Sequence, residues 1–344
     1  MLVSGDRVRT AVERLRQDVA LWTDVLAQDL AERLSAVAWD RARVVGWLLA
    51  GLDELLARPP PERPADGAHA RVHERADQPF EAWVVACRAL LAGRAVVFSW
   101  DPPAEGPART LLEQLAERLP SLLTLAGAGP APEDDPAFIG PARAAERVAF
   151  VRARADRELA AYVLARACLR RSGRDPRAVR LAWVEGDPAR LTRYLRRLFV
   201  ETLIGPPDDP TVFSGPVDPA TRDAYLACID AWSQAEGVQT LVPGALLARA
   251  GDPRTYLAPA LFAAPAEALD RPRAGPMLVL VSADAGQVQA AMARARRRGT
   301  DVLVVLGGAL GPDDHGLLGP RVTPVLGALL TDRLPPGLPE PRPV

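Results

Sequence analysis

Short apolar runs alternate with longer amphipathic segments through most of this chain, and this alternation limits its fold more than any other feature. Each apolar run has the length of a buried strand, and each amphipathic segment has the spacing of a helix packed on one face. Parallel strands need a crossover connection, usually a helix, so this order predicts a parallel, doubly wound α/β fold. The predicted strands are residues 95–100, 122–125, 137–139, 179–184, 239–242, 277–281 and 302–306. The predicted helices are residues 80–91, 105–119, 142–171 with a break near 156, 189–203, 219–236 and 286–298.

The first 58 residues have a different pattern, in which apolar residues recur every three or four positions. This spacing predicts two or three helices over residues 6–58. The proline-rich segment 58–67 then ends them, because proline lacks the backbone N–H that a helix needs. The apolar positions are Val8, Val12, Leu15, Val19, Leu26, Leu30, Leu34 and Val37.

Composition and charge exclude several classes of protein. With 344 residues the chain is long enough for one large or two medium domains. The formal net charge is −1, so no overall field attracts nucleic acid or an anionic membrane, and no apolar run is long enough to span a bilayer. The first residues do not have the pattern of a signal peptide. Cys87, Cys168 and Cys228 have neither disulfide nor metal-site spacing, which predicts a protein of the reducing cytoplasm.

The sequence contains neither lysine nor asparagine, and all 42 basic residues other than histidine are arginine. This excludes a Schiff-base lysine, a phosphate-binding loop of the P-loop type and an oxyanion hole built with asparagine. Arginine stays protonated, so it cannot replace lysine as a base or a nucleophile.

Six segments that together cover most of residues 80–306 occur in an order typical of one enzyme family. They are residues 89–120, 135–150, 172–199, 214–244, 255–262 and 273–295. In this order they resemble the aldehyde dehydrogenase superfamily. The resemblance implies a Rossmann-like parallel-sheet domain followed by a second α/β domain, assembled as dimers or tetramers. We therefore expect N-terminal helices with a degenerate cofactor-binding-like domain at residues 1–155, a degenerate catalytic-like domain at 156–334, and a proline-rich tail at 335–344.

In that family a cysteine thiolate attacks the aldehyde, and the residues for this chemistry are absent here. Pro176 occupies the position of the nucleophile, and proline has no side-chain heteroatom. Cys168 lies in a predicted helix, where we expect a buried structural cysteine. The family's oxyanion-stabilising asparagine falls near residues 76–77. Its general-base glutamate lies in a Glu-Leu-Gly-Gly strand, which we expect to be missing between residues 150 and 159. Glu158 opens a helix and is expected to be solvated or ion-paired.

The positions that contact NAD(P) in the family are also changed, so we expect a vestigial site that holds no cofactor. Ser99 replaces a lysine on the adenosine side. In the Phe-Thr-Gly-Ser loop Gly140 is kept, whereas Pro141 removes a hydroxyl and a backbone N–H where a pyrophosphate would lie. Pro272 replaces the glutamate at the nicotinamide ribose, and only Gly275-Pro276 is retained nearby.

Three other features each have one functional interpretation and one purely structural interpretation. His69 and His73 are four residues apart, but they fall in a loop-like segment with no third ligand, so we expect no metal site. Two arginine clusters, at residues 170–180 and 294–298, fit either an anionic ligand or acidic partner, or simply solvated helix faces. The apolar segment 322–332 fits either strand addition to a partner's sheet or an element of its own domain.

These absences predict a pseudoenzyme, a structural or regulatory subunit that binds a protein partner. The partner would be an active aldehyde dehydrogenase paralogue or a second copy of the chain. Two alternatives stay open. One is a weak or divergent NAD(P)-dependent aldehyde oxidoreductase that uses Cys168, and the other is a small-ligand sensor that uses the old cleft with its arginines.

Overall fold

The computed structural model describes residues 5–59, 69–101, 106–132, 134–139, 147–305 and, for the backbone alone, 322–325. The chain forms two compact units, residues 1–143 and 144–344. Each unit contains parallel strands joined by helices, as the alternation of apolar and amphipathic segments predicts. No helix in the described ranges is long and apolar enough to cross a membrane.

The first unit begins with three helices whose apolar faces pack together. They are α1 (Gly5–Leu21), α2 (Thr23–Leu34) and α3 (Ala38–Ala57). Their apolar residues recur at three- and four-residue spacing, so each helix has one apolar face that it can bury against the others. Complete burial of one such leucine or valine contributes about 1.5–3 kcal/mol. Side chains with no exposed surface are Val12, Leu15, Val19, Leu26, Leu30 and Leu52.

A three-stranded parallel sheet completes the first unit. Its elements are β1 (Ala70–Glu74), α4 (Glu81–Leu91), β2 (Val96–Trp100), α5 (Pro107–Arg118) and β3 (Leu123–Ala128), with strand order β1-β2-β3. The register places His73 beside Ser99 and Glu74 beside Trp100. Because parallel strands end at the same edge of a sheet, four side chains with polar or aromatic groups meet at this carboxyl edge.

The second unit is a seven-stranded sheet flanked by helices, with strand order β10-β9-β4-β5-β8-β7-β6. All neighbouring strands are parallel except β6 and β7, which form an antiparallel hairpin at one edge. The elements are β4 (Arg147–Val151), α6 (Arg157–Leu169), β5 (Val179–Glu185), α7 (Ala189–Glu201), α8 (Pro219–Ser233), β6 (Gln239–Arg249), β7 (Asp252–Ala263), β8 (Met277–Ala283), α9 (Ala285–Arg297), β9 (Val302–Val305) and β10 (Val322–Val325).

The central strands of this sheet are apolar at almost every position, because helices cover both faces. Five consecutive residues of β8, 277–281, are buried, and so are all four residues of β9. Helix α9 begins at a capping box, in which the Asp284 carboxylate accepts the Gln287 N–H at 2.8 Å and the Gln287 side chain accepts the Asp284 N–H at 3.0 Å. This pair of bonds fixes the start of α9 directly after β8.

Several local predictions were wrong. Residues 147–151 form strand β4 and not part of a helix, because the run Val-Ala-Phe-Val is buried on both faces of a central strand. Residues 137–139 form a single bridge, Arg71 to Phe138, instead of a strand. The predicted loop around His73 is strand β1. The predicted short strand 239–242 is the start of an eleven-residue hairpin strand, because Gly251 supplies the left-handed turn to β7.

Candidate functional site

The predicted nucleophile position, Pro176, lies in the loop between α6 and β5 and is half-buried. The residue before it, Asp175, is buried, and its carboxylate lies 2.9 Å from Nη1 of Arg170. Proline offers no nucleophilic atom, and the paired carboxylate is occupied by a guanidinium group. This loop therefore has no group for covalent attack on an aldehyde at the expected position.

The backbone just before Pro176 is strained and firmly held. Arg171, Ser172 and Gly173 are three consecutive residues in the left-handed region, with φ of 52°, 54° and 74°. This conformation costs about 1–3 kcal/mol for each residue other than glycine, so it persists only where neighbours fix it. The serine pair, Ser172 and Ser214, does so. The two Oγ atoms are 2.9 Å apart, the Ser172 N–H donates to Ser214 Oγ at 3.0 Å, and Ser172 Oγ lies 2.6 Å from Gly215 O.

The retained Gly275-Pro276 has a packing role in this region. Gly275 has φ of 66°, and a Cβ atom there would lie 2.7 Å from Cδ2 of Tyr225. A Cβ atom on Gly173 would lie 2.6 Å from Pro276 N and would overlap the Gly275 carbonyl group. The Arg180 guanidinium donates to the carbonyl oxygens of both Gly173 and Gly275, the second at 3.4 Å. These contacts fasten the loop before Pro176 to the start of β8.

All three cysteine thiols are free and buried. Burial raises the pKa of Cys168 to about 12, and Arg180 lowers it by less than burial raises it. Burial likewise raises the pKa of Cys87 to about 12. A thiol with this pKa is ionised in only about one molecule in 10⁵ at neutral pH, and the thiolate is the reactive form. Cys168 is thus buried, as expected, and its surroundings raise the pKa of the thiol instead of lowering it.

Ser99 takes part in a hydrogen-bonded chain at the carboxyl edge of the first unit's sheet. Its Oγ lies 2.9 Å from Nδ1 of His73, and Nε2 of His73 lies 3.0 Å from Oδ1 of Asp101. Asp101 also accepts the Ala76 N–H at 3.0 Å. Partial burial raises the pKa of Asp101, but the hydrogen bonds from His73 and Ala76 outweigh it, so the pKa is lowered overall. In the tautomer that carries its proton on Nε2, His73 donates to the Asp101 carboxylate and accepts the Ser99 hydroxyl proton at Nδ1. We call His73, Ser99 and Asp101 the His73 chain.

Glu74, the residue after His73, is a second unusual acid at this edge. Its carboxylate accepts the Phe80 N–H at 3.1 Å and the Trp83 Nε1–H at 2.7 Å. Burial raises its pKa, and these two hydrogen bonds and the charge of Arg33 oppose that rise without cancelling it. Arg33 itself lies 2.5 Å from a carboxylate oxygen of Asp29. At the carboxyl edge the carboxylates of Glu74 and Asp29 therefore both have hydrogen-bond partners, whereas the buried Gln78 side-chain amide in the loop after β1 has none among the described residues.

The space beside this network is small. A cavity of about 30 Å³ is lined by twelve residues that include Glu74, Trp83, Trp100, Asp101 and Arg109, but neither Ser99 nor His73. One or two water-sized groups fill such a volume, whereas ligand pockets usually hold about 300–1,000 Å³. The His73 chain has the residue types of a Ser-His-Asp triad, but Ser99 does not line this cavity. The volume is also far below that of a dinucleotide.

The remaining predicted site residues are dispersed. Pro272 is exposed, and its carbonyl oxygen accepts the Trp232 Nε1–H at 2.9 Å. Glu158 is buried, and its Oε1 lies 3.9 Å from Nη2 of Arg197, which agrees with the expected ion pair. Gly140 and Pro141 lie outside the described residues. Asp77, near the family's asparagine position, lies 3.2 Å from the Nε of Arg75.

The other sequence features have mostly plain structural roles. His69 is exposed and His73 buried, and the extended β1 backbone separates them by about 13 Å, at about 3.3 Å per residue. In the described part of the chain no group of three or more metal-ligating residues occurs. The first arginine cluster braces the loop before β5, as shown by Arg170 and Arg180. Residues 322–325 pair with β9 in the sheet of their own unit, and the rest of segment 322–332 lies outside the described residues.

Sequence analysis missed the His73 chain and the serine pair. His73 and Ser99 each stand one residue before the end of a strand, and adjacent parallel strands bring such positions together. Residues 70–74 lack the apolar pattern of a buried strand, so the sequence did not mark the position of His73. The serine pair joins residues 42 positions apart through loops, and no periodic pattern marks that contact.

Comparison with known proteins concerns the fold. No protein-family model matches the chain, and no curated protein matches it. Several solved structures do match the chain in fold. A mutant of proline utilization A (PutA) from Bradyrhizobium japonicum has a TM-score of 0.70 at 19% identity and matches 88% of this chain but 36% of its own. The chain thus spans about a third of the length of PutA.

Two other solved structures match more of their own length. Methylmalonate-semialdehyde dehydrogenase (DddC) from Oceanimonas doudoroffii has a TM-score of 0.71 at 14% identity, over 90% of this chain and 74% of its own. An aldehyde dehydrogenase from Bartonella henselae has a TM-score of 0.69 at 15% identity, over 88% of this chain and 75% of its own. Likeness at such identities establishes architecture and not activity. This chain therefore has an aldehyde dehydrogenase-like α/β fold.

Proposed function

We propose that this chain is a non-catalytic protein with an aldehyde dehydrogenase-like fold, which acts as a structural or regulatory subunit of a protein complex. One observation carries the proposal. Proline stands at the nucleophile position, and all three thiols are buried, two of them with a pKa raised to about 12. Thiolate attack needs an exposed, ionisable sulfur, and the described residues supply none.

The cofactor side supports the same proposal. Ser99 replaces the family's lysine, and its hydroxyl is hydrogen-bonded to His73. The cavity at this edge holds only about 30 Å³. We therefore propose that the chain holds no NAD(P), and we derive no reaction step through that cofactor.

The family residues that this chain keeps have packing roles. A protein that keeps its fold without the catalytic residues is expected to act by binding other molecules through its surface. Gly173 and Gly275 keep the close backbone contact before β8, although the chemistry next to it is gone. Large apolar side chains remain on the surface of both units, among them Leu21 at 77% exposure and Val200 at 72%. Exposed apolar groups mark sites of protein contact when they lie on a shared surface. An active aldehyde dehydrogenase paralogue is the partner we propose first, and a second copy of this chain is the alternative partner.

Native mass spectrometry of the protein purified from its own host tests the partner directly. The proposal predicts a complex, with either an aldehyde dehydrogenase or a second copy of the chain. A monomer that leaves the activity of every purified paralogue unchanged contradicts it.

A separate assay tests the absence of catalysis. Purified protein is incubated with aldehydes and millimolar NAD⁺ or NADP⁺, and reduced cofactor is measured beside the cofactor-induced shift in melting temperature. We expect no turnover and no shift. Turnover that Cys168→Ser abolishes and Cys87→Ser preserves would establish the oxidoreductase alternative.

A further inference from the structure

A groove in the second unit combines an apolar floor with a basic rim. Its floor is one face of β4 and β5, formed by alternate residues of each strand: Val148, Phe150, Leu181 and Trp183. These side chains point the same way because successive residues of a strand face opposite sides of the sheet. The groove encloses about 280 Å³, close to the lower end of ligand-pocket volumes.

Small residues create this space. Helix α9 covers the floor with Ala291 and Ala295, which are one helical turn apart and lie on the same face. Ala266, from the segment before β8, lines the opposite wall. Larger apolar side chains at these positions would fill the groove against Trp183, so its depth follows directly from the three alanines.

Three arginines surround the opening. Arg294 and Arg298 lie on α9 and its end, four residues apart, on the same side as the two alanines. Both are exposed, and neither guanidinium pairs with a carboxylate of a described residue. Arg273, on the opposite wall, donates from Nη1 to Leu269 O at 2.8 Å, which fixes its side chain along the wall. Asp270 is the single acid that lines the groove, so positive charge dominates.

The distribution of the arginine cluster argues against a merely solvated helix end. Cations at a helix carboxyl terminus are favourable wherever they point, and Arg297 on the same last turn satisfies that preference without lining the groove. Of the arginines on α9 and at its end, Arg294 and Arg298 line the groove and Arg297 does not. Arg273 lines it from a different segment. A paired guanidinium rim above an aromatic floor is complementary to a molecule with an anionic group and a flat apolar body.

We propose that this groove binds a small organic anion, a phosphate or carboxylate attached to an aromatic or compact apolar body. The apolar body lies against Leu181 and Trp183, and the anionic group lies between the guanidinium groups of Arg273, Arg294 and Arg298. The site goes beyond the proposed subunit role and does not depend on it. It also lies over the middle of β4 and β5, and not at the carboxyl ends of the strands where ligands of open α/β sheets usually bind.

Isothermal titration of the full chain with 4-nitrophenyl phosphate tests the proposal, with inorganic phosphate and 4-nitrophenol as partial probes. We expect 4-nitrophenyl phosphate to bind at least tenfold more tightly than either partial probe. The double variant Arg294→Ala/Arg298→Ala should weaken binding at least about tenfold, since charge-assisted hydrogen bonds are lost. Ala291→Leu should abolish binding although every arginine is kept. Arg297→Ala is the matched control and should bind as the unchanged protein does.

Three outcomes would overturn the proposal. The first is no binding of 4-nitrophenyl phosphate at millimolar concentration. The second is equal affinity for inorganic phosphate, which would reveal a bare patch of charge. The third is binding that survives both Ala291→Leu and the double arginine variant, which would place the site elsewhere. Because Ala291 packs on the core, the melting temperature of its variant is measured first, and the exposed arginine variants decide the question if Ala291→Leu is unfolded.

Discussion

Substitution of Gly173 by alanine tests whether the loop before Pro176 is held by backbone packing. Two costs add at this position. The residue has φ of 74°, where an L-residue costs about 1–2 kcal/mol relative to glycine. The new Cβ would also overlap the Gly275 carbonyl group and lie 2.6 Å from Pro276 N, so backbone must move. Such overpacking costs about 1–3 kcal/mol, and the sum is about 2–5 kcal/mol.

Gly186→Ala is the matched control, because it separates the two costs. Gly186 has φ of 80°, but a Cβ atom there meets nothing within 4 Å, so only the conformational cost applies. One kcal/mol shifts the melting temperature of a unit of this size by roughly 2–4 °C. Differential scanning calorimetry should therefore show the transition of the second unit lowered by about 2–8 °C for Gly186→Ala and clearly more for Gly173→Ala. Equal shifts for the two variants would refute the claim that contact with Gly275 fixes this loop.

Three further predictions concern the thiols and the carboxyl edge of the first unit. In the folded protein, Ellman's reagent should label no cysteine faster than the chain unfolds, because all three thiols are buried. In urea all three thiols should become reactive. Rapid labelling of Cys168 in the folded protein would contradict this prediction. Ser99→Ala should cost about 1–3 kcal/mol in denaturant titration, because it leaves the buried Nδ1 of His73 without its partner, whereas Thr124→Ala on an exposed site of β3 should cost almost nothing. Glu74 has a raised pKa when folded, so the stability it provides is complete below its unfolded pKa of about 4.3 and falls as pH rises through the folded value. The fall should be absent in Glu74→Gln, and parallel pH profiles for the two proteins would show that another group is responsible.

The alternation of apolar and amphipathic segments was sufficient to predict the architecture, because burial on both faces leaves a strong local signal. Strands β2, β5, β8 and β9 were all found near their predicted positions. Residues 147–151 were included in the helix predicted over residues 142–171. Only the neighbouring strands β5 and β9 determine that this run is extended, and that information is not local.

The chemistry of the site was predictable only where it depends on residue type. Pro176 has no nucleophilic atom in any conformation, so the sequence alone excludes it as a nucleophile. The partner of Ser99 depends on the register between β1 and β2, and β1 was not predicted, so its contact with His73 was out of reach. The basic groove was hidden for a similar reason, since Arg273 and Arg298 come from segments that meet only in the folded unit.

The β6–β7 hairpin extends beyond the sheet that anchors it. Strand β8 pairs with β7 only at Ala260–Ala263, whereas the hairpin continues outward to the turn at Gly251. Beyond that base the two strands bond mainly to each other, apart from the bridge between Val217 and Thr255 and the bond from the Tyr225 hydroxyl to Ala258 O at 2.5 Å. A two-stranded ribbon is marginal on its own. Its amide hydrogens should therefore exchange with solvent through local opening, well before those of β5 and β8, and Tyr225 should act as the boundary between the two rates.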